Sequence, residues 1–140
     1  MKPGKVVIDT NIWISYFRNN RLDEIARLIL DNDLRVLTSP YLVTELETVL
    51  QKPKFKTNPE IPVSRYIYFH LRLTVFEITM PRFSDSPDPE DNFLFDLAIQ
   101  HNATHLVTGE KRLLSMKEIE GVQLITLAEL KSLLTNFQAI

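Results

Sequence analysis

The chain has 140 residues, of which 44% are hydrophobic and 24% charged, with a formal net charge of −2 and no cysteine. These values suit a single soluble domain, residues 1–140, with a proper core, and they exclude a disulfide framework, a zinc–thiolate site and a thiol nucleophile. Asp9 interrupts the N-terminal apolar run, and no apolar stretch nears the roughly 20 residues that span a bilayer, so the expected location is cytoplasmic and no membrane contact is expected.

Val6-Val7-Ile8 is a β-branched run that predicts a buried strand ending at a carboxylate, Asp9. Thr10 or Asn11 can cap the helix that starts with Ile12-Trp13-Ile14. In an open α/β sheet, ligands bind beyond the carboxyl ends of the strands, so Asp9 stands where such a fold does its chemistry. The competing reading makes Asp9 part of the helix cap. Leu22, Ile25, Ala26, Leu28, Ile29 and Leu30 follow helical spacing, and Arg35 to Thr38 reads as a second strand. Ser39-Pro40 then opens a helix that runs from Tyr41 to about Gln51, with serine at the cap and proline at the first position. Glu45 shares the apolar stripe of Leu42 and Val49 on that helix, where a carboxylate needs a cation or a set of hydrogen bonds. Pairing with a nearby lysine is the competing reading.

Lys52-Pro53-Lys54-Phe55-Lys56, with Pro59 and Pro62 behind it, predicts a helix stop and a basic loop. Val63 to Thr74 predicts a helix rich in aromatics (Tyr66, Tyr68, Phe69), suited to a core or a subunit interface. Val75 to Thr79 reads as a third strand, and Met80 to Pro89 as a proline-rich loop. Asp91 to Ile99 predicts a mostly buried helix with a carboxylate in its first turn; Asp96 lies about 140° around it from Asp91 and ranks below it as a candidate. Leu106-Val107-Thr108 forms a fourth strand ending before Gly109-Glu110, and Val122 to Thr126 a fifth. Leu127 to Phe137 closes the chain as a helix. Strands alternating with helices predict an α/β fold with a mostly parallel sheet of about five strands.

Charge is distributed unevenly. Residues 52–82 hold six basic residues against two acids, and residues 85–96 hold five acids and no base. Acids that hold cations beside bases that hold phosphates suit a metal-dependent enzyme acting on a polyanion, and an ordinary solvated surface gives the same pattern. Asp9, Glu45, Asp91 and Glu110 occupy comparable addresses, which a parallel sheet can gather at its carboxyl edge. Such a group of carboxylates calls for hard divalent cations, Mg²⁺ or Mn²⁺ rather than zinc. No phosphate-binding glycine loop, nucleophile elbow or HExxH motif competes, and His70, His101 and His105 lack metal-site spacing.

Four segments together resemble the PIN-domain family. They are Val7-Ile8-Asp9-Thr10-Asn11, Thr44-Glu45-Leu46 followed by Leu50 and Lys52-Pro53-Lys54-Phe55, Asp88-Pro89-Glu90-Asp91-Asn92-Phe93-Leu94, and Leu106-Val107-Thr108-Gly109-Glu110. The likeness covers residues 5 to 115 or so and is strongest to VapC-type toxins of toxin–antitoxin systems. It implies a three-layer α/β/α sandwich and a Mg²⁺- or Mn²⁺-dependent ribonuclease leaving 5′-phosphate and 3′-hydroxyl ends. On that pattern Asp9, Glu45 and Asp91 match the metal-binding acids, and Glu110 falls where aspartate is usual. Thr10, Asn11 and Thr108 match positions that line the site, with Asp96 as a further outer candidate. Arg112 stands where many relatives carry a second acid. Lys52, Lys54 and Lys56 are candidates for gripping the RNA backbone, against the reading of a plain solvated loop. A cognate antitoxin protein and a homodimer through the aromatic helix are the partners the resemblance implies. Two rival functions remain: a PIN-like RNA- or protein-binding module with weakened catalysis, and another metal-dependent phosphoryl-transfer enzyme. Asn11 disfavours an aspartyl-nucleophile phosphatase, which wants an acid at that place.

Overall fold

The computed structural model describes residues 3–54 and 58–138. Its sheet is built around β1 (Lys5–Ile8), which pairs in parallel with β2 (Arg35–Thr38) on one side and β4 (His105–Val107) on the other. β3 (Val75–Phe76) extends the sheet beyond β2, and β6 (Val122–Ile125) extends it beyond β4, both in parallel. A short β5 (Glu118–Ile119) runs antiparallel along β6 and completes the order β3-β2-β1-β4-β6-β5.

Successive strand residues face opposite sides, so a strand covered on both faces must be apolar throughout. Val6, Val7 and Ile8 are fully buried on this account. Val6 and Ile8 join Trp13, Phe17, Leu46 and Tyr66 in one core, while Val7 joins Leu94, Leu97 and Leu106 in another. The first core is covered by α1 (Thr10–Arg18), α2 (Leu22–Leu30), α4 (Val63–Leu73) and α7 (Leu127–Gln138). The second is covered by α5 (Asn92–Gln100) and the single-turn α6 (Lys111–Leu114). α3 (Pro40–Leu50) contributes Leu42 to the second core and Leu46, Val49 and Leu50 to the first. These are the three α/β/α layers of the predicted sandwich.

Several boundaries differ from the expectation, each for a local reason. The sheet has six strands among the described residues rather than about five. The extra one belongs to a tight hairpin in which Glu120 and Gly121 both take positive φ, 48° and 85°, the conformation a two-residue turn with the right twist demands. β3 spans two residues instead of five, because beyond Glu77, whose N–H still reaches the Thr38 carbonyl at 2.9 Å, the chain bonds side chains of α5 instead. The cap of α1 is Asp9 itself, whose Oδ1 accepts from Asn11 N–H at 3.3 Å, so the helix starts at Thr10 and neither Thr10 nor Asn11 serves as cap. At α3 the serine cap holds as predicted, with Leu42 N–H donating to Ser39 Oγ at 3.2 Å. The aromatic helix α4 splits. Tyr66 is 1% exposed and packs on Phe17 at 5.0 Å between ring centres, whereas Tyr68 is 63% exposed. Tyr66 is therefore a core residue and not part of an outer face.

Candidate active site

The strand order reverses between β1 and β4, and the carboxyl ends of those two strands open the crevice where an α/β sheet binds its ligand. Asp9 follows β1 and Thr108 follows β4. The backbone binds them across the gap, with Asp9 N–H donating to the Val107 carbonyl at 2.9 Å. The Thr108 hydroxyl donates to Asp9 Oδ2 at 2.8 Å, while Thr108 Oγ1 accepts from Glu110 N–H at 3.1 Å. One threonine thus orients two acids. Asp9 is only 4% exposed. Burial pushes its carboxyl above the usual range, the bonds from Thr108 and Asn11 pull it back, and the nearby Glu110 pushes it up again.

Asp91 reaches the same place from the opposite layer. Asp88-Pro89-Glu90-Asp91 forms a 3₁₀ turn, Pro89–Asp91, capped by the Asp88 carboxylate, which accepts from Glu90 N–H at 3.0 Å. The turn sets Asp91 at the start of α5. Its carboxyl is pushed up to about 7, first by loss of solvent, then by a hydrogen bond with the Glu110 carboxyl and by the charges of Glu110, Asp9 and Asp88. Carboxylates held this close disfavour one another's charged form. Asp9, Asp91 and Glu110 therefore feel one another as a single group.

A cavity of about 530 Å³ opens on this group, lined by Asp9, Asn11, Ser15, Tyr16, Arg21 and Glu110 among others. Asn11 and Ser15 are four apart on α1 and so share a face. Arg21 and Ser15 were not signalled as site residues by the sequence. Helical spacing from Asn11 could have found Ser15, while Arg21 arrives through a turn in which Asn20 takes a positive φ of 58°. Arg21 is engaged by Glu24 and lies over the Tyr16 ring at 5.2 Å. Thr10 is buried and its Oγ1 has no hydrogen-bond partner.

The other predicted residues lie elsewhere. Glu45 is half-buried on α3 and lines a neighbouring hollow with Pro40, Tyr41 and Thr44. Asp96 is buried, and its Oδ1 accepts from the backbone N–H groups of Arg82 and Phe83 at 3.0 and 2.8 Å and from the Gln100 amide at 3.1 Å. It pins the loop before the 3₁₀ turn. Arg112 donates to Glu110 Oε1 at 3.2 Å. Lys52 and Lys54 are exposed in the turn after α3, and Lys56 lies outside the described residues. His101 bridges Glu77 and the Ile78 carbonyl, both at 2.8 Å, and His105 meets the neighbouring Thr104 hydroxyl, so both serve structure.

Among the described residues, no three acids or histidines are arranged as a ready-made cation cage. The donor chemistry nevertheless fits a hard divalent ion. All the donors are oxygens, and their like charges, after burial, raise the Asp91 carboxyl. No described helix is long and apolar enough to cross a membrane.

The family model of the PIN domain matches residues 5–112 of the chain. No curated protein and no solved structure matches it.

Proposed function

Because the chain belongs to the PIN-domain family, whose members are typically nucleases that bind RNA and use divalent metals, we propose that it is a Mg²⁺- or Mn²⁺-dependent endoribonuclease. The observation that carries this reading is the convergence of Asp9, Asp91 and Glu110 at the crevice between β1 and β4. Asp9 and Asp91 would hold the ion, with Glu110 as a further ligand and Glu45 closing the set from α3. A divalent ion held there would make an attacking water more acidic and would offset charge on the phosphate oxygens. Thr108 aims Asp9 by donating to Oδ2, a bond that favours its carboxylate form against the burial that opposes it. Asn11, through its backbone, fixes the other Asp9 oxygen. Thr10, next to Asp9 in the chain, carries a buried hydroxyl without a hydrogen-bond partner that would complete the ion's oxygen shell if it turned to the acids. Lys52, Lys54 and Lys56 would hold RNA phosphates without reading sequence.

The finer biological reading follows the family likeness. The chain is a single-domain cytoplasmic toxin, inhibited by a cognate antitoxin protein, and it works as a homodimer. The exposed Tyr68 and Leu71 on α4 support an interface on that helix. Cleavage of mixed-sequence single-stranded RNA under Mg²⁺, Mn²⁺ or EDTA, with analysis of the product ends, tests the enzyme. Metal-dependent cleavage leaving 5′-phosphates is expected, and metal-independent or absent cleavage overturns it. The 3.2 Å contact between Arg112 and Glu110 favours a second reading, a binding module with weakened catalysis. Faster cleavage by Arg112→Ala than by the wild type would mean that this pair restrains a working enzyme.

A further inference from the structure

A second cavity of about 450 Å³, whose lining includes Tyr41, Thr79, Phe83, Asn92, Phe93 and Asp96, reaches one residue beyond Asp91 at Asn92. Its walls are aromatic. Tyr41 and Phe93 stack at 4.7 Å with 28° between their planes, and Phe83 stacks at 4.5 Å and 16° on Phe95 behind it. Tyr41 remains 58% exposed. The stack joins the two elements that carry catalytic candidates, since Tyr41 is one helical turn before Glu45 on α3 and Phe93 is two residues beyond Asp91. Tyr41 lines both this cavity and the Glu45 hollow.

From this placement we infer that the Tyr41–Phe93 pair is a stacking platform for one unpaired base of single-stranded RNA, next to the phosphate held at the acids. The assignment rests on the nuclease reading above. Stacking on aromatic rings suits any base, because every base has a π-face. Polar groups at the edges suit a nucleotide as well. The Asn92 Oδ1 accepts from Ser86 N–H at 3.1 Å, which leaves its NH₂ group for a base edge, and Thr79 adds a hydroxyl. The one carboxylate in the lining, Asp96, already accepts from Arg82 N–H, Phe83 N–H and Gln100. Arg82 sits between the lining residues Pro81 and Phe83, is exposed, and has no carboxylate partner among the described residues, so it can take a flanking phosphate. Aromatic walls, edge donors and a rim cation fit a nucleotide better than an apolar peptide segment.

The test uses the whole chain and a short single-stranded RNA carrying 2-aminopurine, whose fluorescence falls when it stacks. Titration in EDTA reads binding, and cleavage in Mg²⁺ reads KM and kcat. Wild type and Tyr41→Phe should quench the probe. Tyr41→Ala, a change at an exposed position, should lose the quench, bind about tenfold more weakly and raise KM by a similar factor with little change in kcat. If Tyr41→Ala binds, quenches and cleaves as wild type does, the platform is wrong, the nuclease stands and the groove serves another occupant such as a protein segment. Tyr41-dependent quenching with no cleavage in Mg²⁺ or Mn²⁺ would keep the platform and overturn the nuclease. Neither binding nor cleavage would overturn both.

Discussion

Two buried titratable residues, Asp9 and His70, are each held by a threonine at 2.8 Å and yet belong to opposite kinds of region. Asp9 sits at the carboxyl edge of the central strand, in hearing of two other acids and open to a cavity. His70 sits under the flank of the sheet, edge-on to Trp13 at 4.3 Å between ring centres, with Thr38 as its polar neighbour and Nδ1 unbonded. Burial holds its imidazole down to about 4. A group surrounded by apolar rings is driven neutral and becomes part of the packing. A group surrounded by like charges keeps an electrostatic tension that only a cation or a proton relieves. That difference marks the first region for chemistry and the second for structure.

The largest expected effect breaks the first region alone. Asp9→Asn should cut metal-dependent RNA cleavage by at least about 100-fold, since even outer partners of metal sites matter on that scale. Its Tm should be no lower than wild type, because the neutral amide escapes the burial that disfavours the Asp9 carboxylate. A large fall in Tm would place Asp9 with the structural region. His70→Ala should do the reverse. It opens a cavity against Trp13 and strands the Thr38 hydroxyl, so urea denaturation should show a loss of about 2–4 kcal/mol, with specific activity unchanged well below the transition.

The pH dependence of stability separates the regions by sign. The folded chain protonates His70 only near 4, against 6.5 for the free imidazole, so it binds fewer protons than the unfolded chain between those values. Stability is then lost as pH falls from 6.5 through 4, by at most about 3 kcal/mol. Asp91 acts oppositely. Its carboxyl keeps a proton up to about 7 where an ordinary one loses it at 3.8, so stability declines as pH rises across that window. Denaturation midpoints from pH 3.5 to 8 should show His70→Ala flattening the acid limb and Asp91→Asn flattening the neutral one. The smallest effects belong to the surface. Lys52→Ala and Lys54→Ala should each weaken RNA binding modestly and reduce the salt dependence of log K by about 1; an unchanged slope would return those lysines to the solvated loop.

Much of this contrast could be read from the chain. Val6-Val7-Ile8 ending at an acid, and Leu106-Val107-Thr108 ending before Gly109-Glu110, placed two strand ends together because burial on both faces leaves a distinct apolar signature. The Asp91 turn was legible as a helix start. What escaped depended on contacts between distant residues. The competing reading of Asp9 as helix cap holds at Oδ1, but the sequence could not show that the hydroxyl of Thr108, ninety-nine positions away, takes the other oxygen. His70 was invisible as a core residue, since only the packing of α1 on α4 brings Trp13 over it. The hairpin at Glu120-Gly121 offers the sequence only one glycine between Ile119 and Val122, and its strand is too short for periodicity to register.

The most direct test of the account is the titration of the Asp91 carboxyl, followed by ¹³C NMR with and without saturating Mg²⁺. The account predicts an apparent value near 7 without the ion, falling below the ordinary carboxylate range when Mg²⁺ is bound and returning upward in Asp9→Asn, where the site is broken. An ordinary value that ignores both Mg²⁺ and Asp9→Asn would contradict the claim that Asp9, Asp91 and Glu110 act as one cation-binding site.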